Sequence, residues 1–310
     1  MRVSPLRESD ASSLLPVWNA NLPHDQVSPQ RLLSLVFGDP NYEPEGMVLA
    51  EDGEGTVLGF AGAVLRRDVA GKDGGGREDE FPRGYLKIFF VADGADDAAA
   101  ALLERAEGYC RAAGKHEMMV TEYSGPYLYP GMDVRYERLR GILVSCGYRD
   151  IYTIEDVAAD LRGSRFQEML EQTWGQMPSD VTVVTWEPGQ LAAMRPFVAE
   201  GNMPQWFRAG WESGYQTAMD DTLVLRKGDE VLGWAHYWPG VPRAGFGPIL
   251  VLPRARGNDY GALLLLECMV RAREGGSETM EAGWANTGFY VRHGWHITRR
   301  FAVLQKELKR

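Results

Sequence analysis

One structural plan is written twice in this chain, and that repeat limits the available folds more than any other feature. Met47–Val64, MVLAEDGEGTVLGFAGAV, runs alongside Leu223–Trp238, LVLRKGDEVLGWAHYW. Each is an apolar strand, a polar glycine turn and a second strand carrying Leu-Gly-aromatic-Ala, which predicts a hairpin. LKIFFV (Leu86–Val91) then matches FGPILVL (Phe246–Leu252), near-continuous apolar runs suited to buried strands. A helical stretch follows each: AAALLERAEGYCRAAG stops at Gly114, and GALLLLECMVRAREGG at Gly276. EMMVTEY and TMEAGWA read as strands. CGYRDIYTIEDVAADL and HGWHITRRFAVLQKEL each bring a Gly-aromatic pair into a closing strand.

Each copy therefore runs strand, two helices, hairpin, strand, helix, strand, helix, strand. The first helices are ESDASSLLPVWNAN and SPQRLLSLVF in one copy, PGQLAAMRPFVAEG and PQWFRAGWESGYQTA in the other. This predicts two tandem domains of α/β (α+β) class, residues 1–161 and 181–310. A linker, 162–180, holds a short helix ending at Pro178. The glycine-rich, charged stretch Asp68–Gly84 is expected to be a mobile loop.

Charge separates the copies. Residues 1–160 carry −11 and residues 161–310 carry +1, which together give the net −10. That balance argues against a nucleic-acid partner, and if one half binds a polyanion it is the second. The opening MRVSPLRESD has charges and no apolar core, unlike a signal peptide. No apolar stretch nears the roughly 20 residues of a membrane span. Cys110, Cys146 and Cys268 are odd in number, form no metal-ligand pattern and lie in or beside apolar segments. They are expected to be buried free thiols in a reducing cytoplasm. The protein is expected to be cytoplasmic, a monomer or homodimer, without membrane or metal.

The order of elements, with VLPRARGNDYGALLL (Val251–Leu265) between strand and helix, resembles the GNAT superfamily of acyl-CoA-dependent N-acyltransferases. The resemblance implies two tandem GNAT-like domains, each a mixed, mostly antiparallel central sheet flanked by helices. A degenerate first half gives a mycothiol-synthase-like arrangement. It also implies that Arg254, Gly257 and Gly261 match the family's pyrophosphate loop, with Arg256, Asn258 and Tyr260 beside them. Asp259 departs from the small residue usual there. NTGFYVRHGW (Asn286–Trp295) is similar to a later signature in which Asn and Tyr precede a Gly-aromatic pair, although Asn286 and Tyr290 are closer together than usual. The physics of the loop agrees: a helix N-terminus presents unpaired N–H groups and a positive dipole end, and arginines add charge. The alternative is a capped helix after a buried strand, with surface arginines. The first copy has VADGADDAAAALL instead, with Asp93, Asp96 and Asp97 and no Arg-Gly pair. These acids favour the helix dipole and repel pyrophosphate, so that copy is expected to have lost ordinary CoA binding. Its inserted GPYLYPGMDVRYERLRG is either a packed loop or part of an interface.

The resemblance implies acetyl-CoA as donor and the amine of a small molecule as acceptor, reacting directly in a ternary complex. The strand Ile249, Leu250, Val251 would meet the thioester carbonyl through backbone N–H groups. Tyr290 matches the family's usual acid for the departing thiolate, and its alternative is a core aromatic. The base is open: FGPILVL has no carboxylate, and His236, Glu281 and ordered water remain. Trp206, Phe207 and Trp211 share one helical face, as core or as an aromatic wall for the acceptor. The competing function is a CoA- or amine-binding sensor that has lost catalysis.

Overall fold

In a computed structural model, residues 1–66, 82–123, 126–187, 191–201 and 221–309 are described. The chain forms two compact units, Met1–Ile154 with Arg300–Arg310, and Glu155–Arg299.

In the first unit, β1 (Arg2–Pro5), β2 (Met47–Glu51), β3 (Val57–Val64), β4 (Arg83–Val91) and β5 (Glu117–Val120) lie in that order. All pair antiparallel except β4 with β5. The next strand is the far end of β13 (His296–Glu307), where Leu304 pairs with Val120. Helices α1 (Ala11–Asn21), α2 (Pro29–Val36), α3 (Asp97–Ala112) and α4 (Glu137–Ser145) flank the sheet. Local sequence accounts for their ends. Ser28 caps α2 by accepting from the Arg31 N–H at 3.1 Å, with Pro29 just inside. Gly114, past the end of α3, has φ +74°, a left-handed stop that glycine adopts without strain.

The second unit repeats the plan: β8 (Val181–Thr185), β9 (Thr222–Lys227), β10 (Glu230–Trp238), β11 (Arg243–Val251), β12 (Thr279–Ala282). It is closed by the far end of β7 (Arg149–Asp160), where Val157 pairs with Ala282. Its helices are α5 (Arg165–Gly175), α6 (Leu191–Glu200), α7 (Tyr260–Glu274) and α8 (Thr287–Arg292). The repeat extends to register. Arg83 pairs with Glu117 and Gly59 with Val91 in one unit; Arg243 pairs with Thr279 and Gly233 with Val251 in the other.

Two expectations change. Sequential domains 1–161 and 181–310 would each keep their own closing strand, but the closing strands are exchanged. Residues 162–180 are more than a linker. Phe166 and Leu170 of α5 are buried in the second core, and the Trp174 indole donates to Glu267 of α7 at 2.8 Å. Helix α7 is therefore covered on both sides: Leu263, Leu264, Leu265 and Leu266 are all at most 1% exposed, each worth about 1.5–3 kcal/mol of burial. The inserted aromatic segment of the first copy packs. Tyr129 and Met132 are buried, β6 (Met132–Asp133) pairs with β13, and the Tyr136 hydroxyl donates to Asp25 at 2.7 Å. The glycine-rich loop lies at 68–81 outside the described residues, as does the helix predicted over PQWFRAGWESGYQTA.

Candidate active site

In the second unit, β11 and β12 run parallel for three pairs, ending at Gly245 with Glu281. Beyond that pair, β11 continues to Val251 with no partner on its outer edge among the described residues. On its inner edge the register with β10 shifts between Ala235–Ile249 and Tyr237–Phe246, and Gly247 takes φ +121°. Ile249, Leu250 and Val251 thus line an open split, each half-buried.

The split leads to the glycine loop. A short turn, Pro253–Ala255, follows Leu252. Gly257 has φ +83° and Asp259 φ +56°, so the backbone enters α7 through two left-handed residues. The Asn258 amide donates to the Ala255 carbonyl at 3.1 Å and braces the turn. The first helical bond is from the Leu263 N–H to the Asp259 carbonyl, at 2.9 Å. The N–H groups of Tyr260, Gly261 and Ala262 therefore precede the helical ladder, and the Asp259 side chain makes no capping bond. Such a terminus suits an anion.

The arginines divide their roles. Arg254, expected beside the phosphate, is held by Glu200 and Glu230, each at 2.6 Å. Its charge is offset by these carboxylates of α6 and β10. Arg256 donates to the Val251 carbonyl at 3.2 Å, which keeps it on the loop. Gly261 is needed for packing: a Cβ there would meet the Phe289 ring at 3.3 Å. The buried Tyr260 side chain belongs to the core.

Asn286 precedes α8 and its carbonyl accepts from the Phe289 N–H at 2.9 Å. Asn286 and Tyr290 are one helical turn apart, which explains their close spacing. Tyr290 packs against Phe246, Phe289 and Trp295 at centroid distances of 6.0, 5.2 and 5.1 Å. Burial pushes its phenol up to about 12, with the nearby Cys268 adding to it. The start of α8 is held by Glu155 of the exchanged strand β7: the Thr287 hydroxyl donates to its carboxylate at 2.5 Å and the Ala285 N–H to its carbonyl at 2.9 Å. Spacing along the sequence gives no sign of this contact, which joins residues 132 positions apart.

The two candidate bases are differently placed. His236 is fully buried, its Nδ1 is 2.8 Å from the Thr222 hydroxyl, and burial lowers it to about 4. Glu281 is half-exposed and paired with Arg243 at 3.3 Å. Trp206, Phe207 and Trp211 lie outside the described residues. Among the described residues, no cluster of His, Cys, Asp and Glu could hold a metal ion, and no helix is long and apolar enough to cross a membrane.

The equivalent region of the first unit is filled. Arg138 of α4 pairs with Asp96, and with Asp93 at 3.1 Å, and donates to the Val91 carbonyl at 2.6 Å. That carbonyl is the counterpart of Val251, which Arg256 contacts. Lys87, the counterpart in the repeat of Gly247, is fully buried against Asp39 and the Leu35 carbonyl. Tyr123 and Asn41 complete this network, Tyr123 donating to Asp39 at 2.7 Å and Asn41 to the Tyr123 hydroxyl at 2.8 Å.

Residues 176–295 match the family model described as Acetyltransferase (GNAT) family. A comparison with curated proteins gave no match. Among solved structures, the chain resembles a GCN5-related glucosamine N-acetyltransferase region of a fungal multi-domain GH3 β-N-acetylglucosaminidase, with a TM-score of 0.77 and 15% identity. That match covers 98% of this chain, which spans only 38% of the fungal one. A GCN5-related N-acetyltransferase from Sphaerobacter thermophilus gives 0.72 at 15% identity, covering 100% of this chain and 96% of that one. A tandem GNAT protein from the clavulanic acid biosynthesis pathway gives 0.63 at 15% identity, covering 100% and 99%. At such identities the likeness establishes the fold.

Proposed function

We propose, taking residues 176–295 as a domain of the GNAT acetyltransferase family, that the second unit transfers an acetyl group from acetyl-CoA to the amine of a small acceptor. The observation that carries this reading is the split of β11 from β12 after Gly245, opening toward the N-terminus of α7. The exposed edge of Ile249–Val251 suits the amide-bearing arm of the donor. The N–H groups from Asn258 to Gly261, with Arg256, suit its pyrophosphate. In the first unit the matching loop is acidic and carries Arg138 as its own counter-ion, which supports donor binding in the second unit alone.

In the reaction the amine nitrogen bonds to the thioester carbon and the carbon–sulfur bond breaks. Backbone N–H groups of β11 steady the carbonyl oxygen. Tyr290, pushed up to about 12, is neutral at pH 7 and so can hydrogen-bond the sulfur as the carbon–sulfur bond breaks. Burial makes full transfer of its proton to a thiolate of ordinary value about 8.5 uphill, so the donation is assigned to its hydroxyl only while charge develops on sulfur. The amine loses its proton to solvent. His236, lowered to about 4, is a weak base at neutral pH, and Glu281 is engaged by Arg243. The cytoplasm, where acetyl-CoA is at hand, is the proposed location, with the protein acting as monomer or homodimer.

The test is thiol release from acetyl-CoA with a panel of amines. Tyr290→Phe is expected to lower kcat by about 10²–10⁴-fold, the span of one general-acid contribution, with the acetyl-CoA KM little changed. Gly257→Glu is expected to abolish donor binding, and unchanged affinity in that variant would remove the loop from the site. Asp259 beside the phosphate position favours a second reading, a sensor. Tight acetyl-CoA binding without CoA release from any amine would select it.

A further inference from the structure

Trp238 plays no part in the chemistry above, yet it occupies a singular place. It pairs with Gly245 across β10 and β11, and Gly245 pairs with Glu281 across β11 and β12. Residues opposite one another in a sheet project from the same face. Trp238 and Glu281 therefore flank a glycine, their Cα atoms two strand spacings or roughly 10 Å apart. This row is the last before β11 and β12 separate, so it marks the closed end of the split.

The indole leans into the gap that the glycine leaves. A Cβ on Gly245 would lie 3.2 Å from Trp238 Cε3. The other side of the ring is open: Trp238 remains 49% exposed, in a core where Trp234, four residues earlier on the same face, is fully buried. The indole is also held in orientation. The His236 ring meets it edge-on at 4.7 Å and 87°, and His236 is in turn fixed by Thr222. Across the row, the Arg243–Glu281 pair presents a guanidinium and a carboxylate to solvent.

The two faces of β11 then differ in chemistry. Phe246, next along the strand, projects oppositely to Gly245 and packs against Tyr290. The leaving thiolate meets Tyr290 on that face. The Trp238 face is left for the attacking group.

We propose that Trp238 is the platform for the acceptor, and that the acceptor is a primary amine carried on a ring able to lie flat on the indole, its polar edge met by Arg243 and Glu281. This rests on the acetyltransferase reading of the same site. A flat apolar face buries area on a rigid aromatic surface at little entropic cost, and an ammonium on it gains cation–π attraction. An extended, flexible amine gains the second without the first. Trp238 is thus a specificity-determining residue. Gly245 is its seat.

The experiment compares tyramine, glucosamine and putrescine as acceptors: an aromatic ring, a saturated ring and no ring. At least one ring amine is expected to have a KM about tenfold below that of putrescine. Trp238→Ala raises that KM about tenfold and leaves the acetyl-CoA KM unchanged. Trp238→Phe recovers part of the loss. Gly245→Val, which displaces the indole without removing it, behaves like Trp238→Ala. The proposal is overturned if putrescine equals both ring amines, or if Trp238→Ala leaves acceptor KM values unchanged or moves the acetyl-CoA KM equally. If no amine is acetylated, the acetyltransferase reading fails, and the platform is judged by binding alone. Tyramine or glucosamine should then change the tryptophan fluorescence of the wild type and not of Trp238→Phe. No change in the wild type with either amine overturns the platform too.

Discussion

Asp259 stands where the backbone asks for a residue with almost no side chain. Its φ of +56° is a region that L-residues avoid and that Asp and Asn tolerate better than most. Its carboxylate, at the start of α7, favours the helix dipole when the loop is empty and opposes a phosphate when it is filled. Asp259→Gly removes backbone strain worth roughly 1 kcal/mol, while glycine adds a similar amount of unfolded-chain entropy. Stability should scarcely move, and the gain should appear in the ligand. Calorimetry is expected to show acetyl-CoA binding several-fold tighter than wild type at low salt; equal or weaker binding would mean that the carboxylate points away from the phosphate. Arg254 teaches the complementary point. Its charge is plain in PRARG, but its direction depends on Glu200 and Glu230, 54 and 24 residues away.

At the scale of the element, β10 joins the clearest and the least readable features of the sequence. Its hairpin with β9 follows from alternation around a glycine turn, and LVLRKGDEVLGWAHYW predicts both strands almost to their ends. The fate of its aromatic side chains does not follow. In Trp234, His236 and Trp238 one face carries three rings in succession, a pattern that reads as core. Two are buried and the third is open: the row of Trp238 ends beside Gly245, which has no side chain to cover it. Similarly, the residue types of Tyr290 and Glu281 marked them as candidates, whereas the support from Glu155 depends on strand exchange. His236 gives this strand a measurable pH response. Its folded value of about 4 lies below the ordinary 6.5, so the unfolded chain binds more protons between those values. Its contribution is complete above about pH 6.5 and is lost as pH falls toward 4, by up to about 3 kcal/mol. His236→Gln should lose less of its melting temperature than wild type between pH 6.5 and 4.5. Parallel curves would show that His236 does not titrate with unfolding.

The molecule as a whole is two repeats that do not fall at the repeat boundary. Residues 155–299 contain every strand of the second unit. The span 181–310, the natural cut from sequence, lacks β7 beside β12 and α5 over α7. A fragment 155–299 is expected to unfold cooperatively in urea by circular dichroism, and 181–310 to show no cooperative transition. Equal transitions would make the exchanged strand dispensable. The exchange escapes sequence reading for a physical reason. Both closing strands are twelve residues long, they place apolar residues at the same two aligned positions, Ile154 with Phe301 and Val157 with Leu304, and they meet β12 and β5 in equivalent registers. Hydrophobic pattern alone cannot assign each to its sheet.

Exchange also sets a clock. The first unit begins first but contains residues 300–310, so its sheet cannot close until that segment has been made. Between Ile154 and Arg300, at about 5–20 residues per second, the wait is roughly 7–30 s. Throughout that interval β5 is an open sheet edge, which other chains can pair with unless it is covered. The half whose matching loop is acidic is thus the half most exposed to hazard during birth, and residues 300–310 are the ones that end it.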